Sequence, residues 1–279
     1  MMMSEHRLIS FDETPIFYRR FKPTATPAKG IVVIQHGMGE HGGRYGHVAA
    51  YQANLGLETI SMDLRGFGLS GGRRCYARHF MNYCGDLGAL HAFISRTNEG
   101  TPIFLLGHSF GGLVASAYLA LQKHPKINGL ILSSPIFGIA LTVPGWRHTL
   151  GIIGALIFPT FTQSNSIKPP MLTHDTQVLS EYKKDPLIYH YVTARLYKEL
   201  IFAMGLKKSI AQRIVEPVLV MQAGEDTVVS RQETVNFYEL LNTADKELEV
   251  YEGFYHEILH EVEREKVLSR MGDWIEKRL

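Results

Sequence analysis

Phe104-Leu105-Leu106-Gly107-His108-Ser109-Phe110-Gly111-Gly112 is the stretch on which the fold turns. Pro102 to Leu106 reads as a short apolar strand, and Phe110 to Lys123 as a helix rich in small residues. Gly107-x-Ser109-x-Gly111 lies between them, where a strand-to-helix turn can hold a serine in a strained conformation while the flanking glycines let the backbone pass closely. The helix N-terminus behind such a serine offers amide N–H groups and a positive dipole end to a developing oxyanion. A Gly/Ser turn used only for tight packing is the alternative.

Outward from that turn the strand–helix unit repeats. Ile31 to His36 is a β-branched run closed by Gly37, and Leu57 to Asp63 a second such run. The strand Gly129 to Ser133 follows the helix, and Pro217 to Gln222 and Glu247 to Tyr251 come late in the chain. Helices are expected over Arg44–Leu55, Asp86–Thr97, Arg231–Leu241 and Glu263–Lys277. Continuous apolar strands alternating with helices predict a mostly parallel, doubly wound α/β sheet with right-handed crossovers. His6 to Phe21, broken by Asp12-Glu13-Thr14-Pro15, predicts an N-terminal antiparallel hairpin. From Ile136 to about Arg213 the alternation stops. Helical stretches are expected at Thr173–Lys183 and Ile188–Met204, and no strand. The division predicted is a core of 1–134 and 214–279 with a helical cap insertion at 135–213.

A serine hydroxyl needs a general base, and the base needs an acid to orient it. In this architecture they follow the serine in the order acid, then histidine. Asp226 lies just past the strand ending at Gln222, with Glu225 as competitor; His256 follows the last strand, with His260 as runner-up. Two oxyanion donors are expected, the amide of Phe110 after the serine and that of Met38 in the loop His36-Gly37-Met38-Gly39.

The 279 residues are 45% hydrophobic and 20% charged, with 29 Lys+Arg against 27 Asp+Glu. That balance gives no basic surface for a nucleic acid partner. Cys75 and Cys84 make neither a disulfide framework nor a zinc site and are expected as reduced thiols. The N-terminus lacks the apolar region of a secretory signal, and no apolar run reaches the ~20 residues of a membrane span. The expected location is cytoplasmic, with a peripheral membrane surface left open. No metal or organic cofactor is implied.

His36-Gly37-Met38-Gly39-Glu40-His41-Gly42-Gly43-Arg44-Tyr45 resembles the HGxGEHxxRY signature of monoacylglycerol lipases and bacterial lysophospholipases. Asp63-Leu64-Arg65-Gly66-Phe67-Gly68-Leu69-Ser70-Gly71 resembles their D-x-R-G-x-G-x-S-x-G loop, and Asp185-Pro186-Leu187 their D-P-L cap motif. The resemblance implies an α/β-hydrolase fold with a helical cap and hydrolysis of monoacyl lipid esters by a serine carboxylic ester hydrolase. It also implies that Glu40 and Arg44 pair near the oxyanion loop and order the polar end of a substrate pocket, or simply stabilise the loop. Two positions depart from the mammalian lipases: Phe110 stands where they have Met, and the second histidine follows His256 by four residues instead of three.

Thr149 to Phe161 is an uncharged, apolar cap segment. It could line an acyl tunnel, dock on a membrane surface in a transient contact, or pack as a core helix. An aminopeptidase-like or small-ester carboxylesterase, and a non-catalytic ligand-binding relative, are the other functions considered.

Overall fold

Apolar residues on both faces of most strands dictate a sheet covered twice. The computed structural model describes residues 1–121, 126–141 and 145–279, apart from the side chains at 146–148, 150 and 151. The strands of the main sheet are β1 (Met2–Ile9), β2 (Pro15–Lys22), β3 (Gly30–Gln35), β4 (Leu57–Met62), β5 (Ile103–His108), β6 (Gly129–Ser133), β9 (Val218–Ala223) and β10 (Lys246–Tyr251). Their order is β1-β2-β4-β3-β5-β6-β9-β10. β1, β2 and β4 pair antiparallel, and every pair from β4 to β10 is parallel. β3, β4, β5, β6 and β9 are buried at every residue.

One face of the sheet carries α1 (Gly46–Asn54) and α9 (Arg264–Glu276), with Val48, Val267 and Trp274 in their shared core. The other carries α2 (Met81–Thr97), α3 (Phe110–Leu121) and α8 (Arg231–Leu240). α3 is buried from Phe110 to Ala120. The sequence extended this helix to Lys123, which lies outside the described residues. Cys75 and Cys84 are free and buried.

Between β6 and β9 the chain leaves the sheet. It forms α4 (Gly145–Ile157), β7 (Thr162–Ser164), α5 (Thr176–Lys184), β8 (Tyr191–Thr193), α6 (Ala194–Gly205) and α7 (Lys207–Ala211). No strand was expected here, yet β7 and β8 pair antiparallel. Three residues each, one of them Thr-Gln-Ser, are too few to show a period. The helix expected from Ile188 begins at Ala194, because Thr193 caps it by accepting the Leu196 amide at 3.2 Å.

Candidate active site

Ser109 sits at the junction of β5 and α3 with φ +51, a left-handed conformation rare for a non-glycine residue. Neighbouring backbone holds it there. Its N–H donates to the Ser133 carbonyl at 2.9 Å, and its carbonyl accepts the Gly112 and Ile136 amides at 3.0 and 3.1 Å. A Cβ at Gly111 would lie 2.1 Å from the Gln35 carbonyl oxygen, so only glycine lets α3 cross β3 this closely.

Asp226 follows β9, and its side chain is fully buried. Its Oδ1 accepts the Val228 and Val229 amides, both at 2.9 Å, and its Oδ2 accepts from Gln222 at 3.3 Å. His256, in the loop after β10, donates from Nδ1 to Asp226 Oδ2 at 2.8 Å. Ser109 and His256 line the same cavity. The competitors lie elsewhere. Glu225 is exposed. His260 turns from the cavity, with Nε2 on the Arg44 carbonyl at 3.2 Å and its ring against Tyr45 and His47.

Electrostatics separate these buried groups. Burial pushes the His256 imidazolium down, but the Asp226 carboxylate, helped by Glu257 and Glu40, outweighs it, so His256 titrates above the ordinary imidazole range. Burial raises Asp226, and the His256 charge with the Val228 and Val229 amides brings it net below the usual carboxylate range. His108, whose ring lies 4.9 Å from His256, is pushed down to about 4 by burial and by the His256 charge. His260 is pushed down to about 3 by burial and by Arg44.

The Met38 and Phe110 amides have no acceptor among the described residues. His36 Nε2 accepts the Leu64 amide at 2.9 Å, so its Nδ1–H donates to the Gly37 carbonyl at 2.7 Å. The Phe110 side chain leaves the cavity altogether, packing edge-on to Tyr83 and Phe80 at 5.0 and 5.9 Å. Its replacement of Met therefore does not alter the cavity wall.

Beneath the Gly37-Met38-Gly39 loop Arg44 joins two buried carboxylates. Its Nη1 donates to Glu40 at 2.6 Å and to Glu257 at 2.8 Å, and its Nη2 to Glu257 at 2.6 Å. Glu40 also accepts the Gly37 amide and the Tyr45 hydroxyl, both at 2.7 Å. The Tyr182 ring lies 5.1 Å from the guanidinium carbon. Glu257 and Tyr182 escaped the sequence reading. Glu257 could have been suspected beside His256, whereas nothing in the cap sequence marks Tyr182. The D-x-R-G loop proves to be scaffolding: Asp63 accepts the Gly42 and Leu69 amides at 2.8 Å each, and Arg65 binds Asp12 and Asp86. Among the described residues no group of three His, Cys, Asp or Glu side chains is placed to hold a metal ion.

The cavity measures about 540 Å³ and runs from Ser109 beneath the cap. Its apolar wall includes Ile139, Leu141, Ile167, Leu172, Leu200 and Val228. Among the described side chains of the Thr149–Phe161 segment only Phe161 reaches it. Ile153, Leu156, Ile157 and Phe158 are exposed instead, while Ala155 is the buried position among the described side chains of α4. The tunnel reading of this segment therefore holds at Phe161 and fails at those four residues, and Leu150 lies outside the described side chains.

A parallel sheet carrying a serine elbow at the head of β5 and a capped cavity above it defines an α/β hydrolase. The chain belongs to the Hydrolase_4 family, serine aminopeptidase S33, whose pattern matches residues 26–263. It is 30% identical over 285 residues to a monoacylglycerol lipase of Mycolicibacterium smegmatis, covering 99% of this chain and 98% of that protein. It is 31% identical over 241 residues to phospholipase YtpA of Bacillus subtilis, covering 86% and 92%. The chain spans only 30% of the length of a Dictyostelium discoideum abhydrolase-domain protein that it also matches. The crystal structure of Paleococcus ferrophilus monoacylglycerol lipase superposes with a TM-score of 0.85 at 25% identity, over the whole of both chains.

Proposed function

We propose that the chain hydrolyses carboxylic esters of monoacyl lipids through an acyl-enzyme, with 1–134 and 214–279 as the hydrolytic core and 135–213 as the cap. Ser109 attacks the ester carbonyl. His256 takes the serine proton and returns it to the leaving alcohol, and Asp226 holds the imidazole in the required tautomer and stabilises the imidazolium. The Met38 and Phe110 amides receive the oxyanion. The observation that carries this reading is the His256–Asp226 pair opening onto the Ser109 cavity, which continues into an apolar space of acyl-chain size.

A neutral head group fits best. Glu40 and Glu257 line the cavity, and no Lys or Arg does so among the described residues. The Arg44 guanidinium donates three hydrogen bonds, all to those carboxylates. A phosphate would find no counter-charge there, whereas glycerol hydroxyls meet Gln163, Ser164 and Asn165. An N-terminal ammonium is also poorly served, because each oxygen of Glu40 and Glu257 already accepts a hydrogen bond.

The cap supports a second element of the proposal, a transient contact with a lipid surface. Leu156, Ile157, Phe158 and Phe161 are 64–67% exposed, and Phe161 also lines the cavity. No described helix is long and apolar enough to cross a membrane. Such a patch reads as a surface contact.

A fluorophosphonate probe should label wild type and not Ser109→Ala, and Ser109→Ala should lose several orders of magnitude in kcat. Each added methylene should strengthen acyl binding about threefold to fourfold until the cavity fills, at roughly 0.8 kcal/mol each. Monoacylglycerols should outpace acetyl esters, lysophosphatidylcholine and aminoacyl amides. Turnover by Ser109→Ala, or faster cleavage of amides than of any acyl ester, would overturn the proposal.

A further inference from the structure

The oxyanion loop is held from two sides, and one of them is the cap. On the core side, the His36 ring fixes the Gly37 carbonyl at 2.7 Å, and Glu40 fixes the Gly37 amide at 2.7 Å. A trans peptide points its C=O and N–H in opposite directions, so pinning the Gly37 carbonyl aims the Met38 N–H.

On the cap side, the Tyr189 N–H donates to the Gly39 carbonyl at 2.8 Å. Gly39 has φ +86, and a Cβ there would lie 2.6 Å from the Tyr189 carbonyl oxygen, so the two segments meet through glycine alone. Two residues on, His41 Nδ1 accepts the Gly43 amide at 3.1 Å. The ring proton therefore sits on Nε2, which donates to Asp185 Oδ2 at 2.8 Å. The other Asp185 oxygen accepts the Leu187 amide at 2.8 Å, and its carbonyl accepts the Ile188 amide at 3.3 Å. Asp185 thus shapes the turn that presents Tyr189 and anchors that turn to the loop. His41 and Asp185 are both largely buried in side chain, at 9% and 25% exposure.

We propose that His41 and Asp185 are a positioning pair through which the seated cap sets the Met38 N–H against the reacting carbonyl oxygen. The proposal rests on the reading of Met38 as an oxyanion donor. Gly37 and Gly39 flank Met38 and permit wide backbone rotation, so the amide stays aimed only while both neighbours are pinned. With the pair broken, Gly39 keeps a single bond to the cap, and the Met38 peptide is steadied from the core side alone, through the Gly37 contacts with His36 and Glu40. The ester still enters the same apolar cavity. What is lost is stabilisation of charge that develops in the transition state, which shows in kcat and not in KM. A cap lifted from the loop then binds substrate without polarising it, and hydrolysis is confined to the closed form.

Deleting an oxyanion donor outright costs about 100- to 1,000-fold in kcat, so loosening one by Asp185→Ala should cost about 10- to 100-fold, with KM changed less than about threefold. A trifluoromethyl ketone of the acyl chain, which forms a tetrahedral adduct with an oxyanion, should weaken by the same factor. The pH midpoint of the His256 limb should not move. His41→Asn, too short to reach Asp185, should match Asp185→Ala, and the double variant should be no worse than either single one. Asp185→Asn keeps the shape and an acceptor, and should retain most of the activity. Should Asp185→Ala fail to fold, His41→Asn carries the same expectations. Wild-type kcat with unchanged ketone affinity in the folded variants, or additive losses in the double variant, would refute the pair. Those outcomes leave the hydrolase reading intact provided Ser109→Ala is inactive; turnover by Ser109→Ala would remove that reading first.

Discussion

Replacing Arg44 by Met should destabilise the protein and reverse part of its response to acid. The guanidinium makes bonds of 2.6, 2.8 and 2.6 Å to Glu40 and Glu257, and all three side chains are 5–9% exposed. The cluster carries two negative charges and one positive one. Methionine fills comparable space but leaves two buried carboxylates without a cation. Breaking a buried ion pair from one side costs about 3–5 kcal/mol. At roughly 2–4 °C per kcal/mol for a chain of this size, the melting temperature should fall by roughly 6–20 °C at pH 8. In wild type, burial would raise Glu40 and Glu257, but Arg44 holds both below the usual glutamate range. Their stabilising contribution is present at neutral pH and is lost as pH falls through those lowered values. In Arg44→Met the burial remains and the cation is gone, so both carboxyls titrate above the ordinary range. The variant then gains relative stability as pH falls and the buried acids take up protons. The gap between the two melting temperatures should narrow between pH 8 and pH 5. Scanning calorimetry across that range measures it, and Glu40→Gln/Arg44→Met/Glu257→Gln should recover at least half of the loss, because no unpaired charge remains. A gap under about 2 °C at every pH, or one that widens in acid, would refute the reasoning.

The acid limb of kcat/KM should lie above the ordinary imidazole range, because Asp226 and Glu257 hold His256 protonated to higher pH; a limb below pH 6 would count against His256 as the base. Asp226→Asn should lose activity severely with little change in far-ultraviolet circular dichroism, while Glu225→Gln, at an exposed position, should behave as wild type; the converse pattern would reverse the choice between them. Leu156→Asp/Phe158→Asp should leave hydrolysis of a soluble short-chain ester unchanged and reduce co-sedimentation with phosphatidylcholine vesicles by several fold; loss of soluble-ester activity would place those side chains in the cavity after all.

The core was legible because its strands are buried on both faces and leave unbroken apolar runs closed by glycine. Ile31 to Gln35, Phe104 to Leu106 and Val218 to Met221 are all such runs, and they are adjacent or one strand apart in the sheet. Strand ends then place loops at one rim, which is how Ser109, Asp226 and His256 could be named from order alone. The cap carried less information. α4 is apolar, but its Ile153, Leu156 and Ile157 face outward, and composition does not record direction. The apolar cavity wall comes instead from residues scattered between Ile136 and Val228, of which Ala194, Tyr197 and Leu200 on α6 follow a helical spacing and the rest come from separate segments. Glu257, Tyr182 and Asp185 act across gaps of 213, 138 and 144 residues, and although Asp185 stood in a recognisable D-P-L motif, nothing local named the partner of any of the three.

The choice of base shows what the fold adds to a motif. His108, His256 and His260 are all at least 96% buried and lie within one region, and burial alone drives each toward the neutral form. Sequence could weigh His256 against His260 only by their distance past the last strand. Their neighbours separate them. His260 packs under Arg44, whose charge adds to burial, and the ring stays neutral with its nitrogens engaged by backbone and by Glu257. His108 faces His256, so a proton arriving at one is repelled from the other. At His260 the Arg44 charge outweighs Glu257, whereas His256 meets Asp226 at 2.8 Å, a carboxylate that itself stays ionised because two backbone amides and Gln222 already hold it. In the proposed mechanism the proton leaving Ser109 therefore has one acceptor able to keep it, and that acceptor can release it again to the departing alcohol. The net negative charge of the Glu40–Arg44–Glu257 cluster adds to the same preference, which links the segment beneath the oxyanion loop to the proton transfer above it.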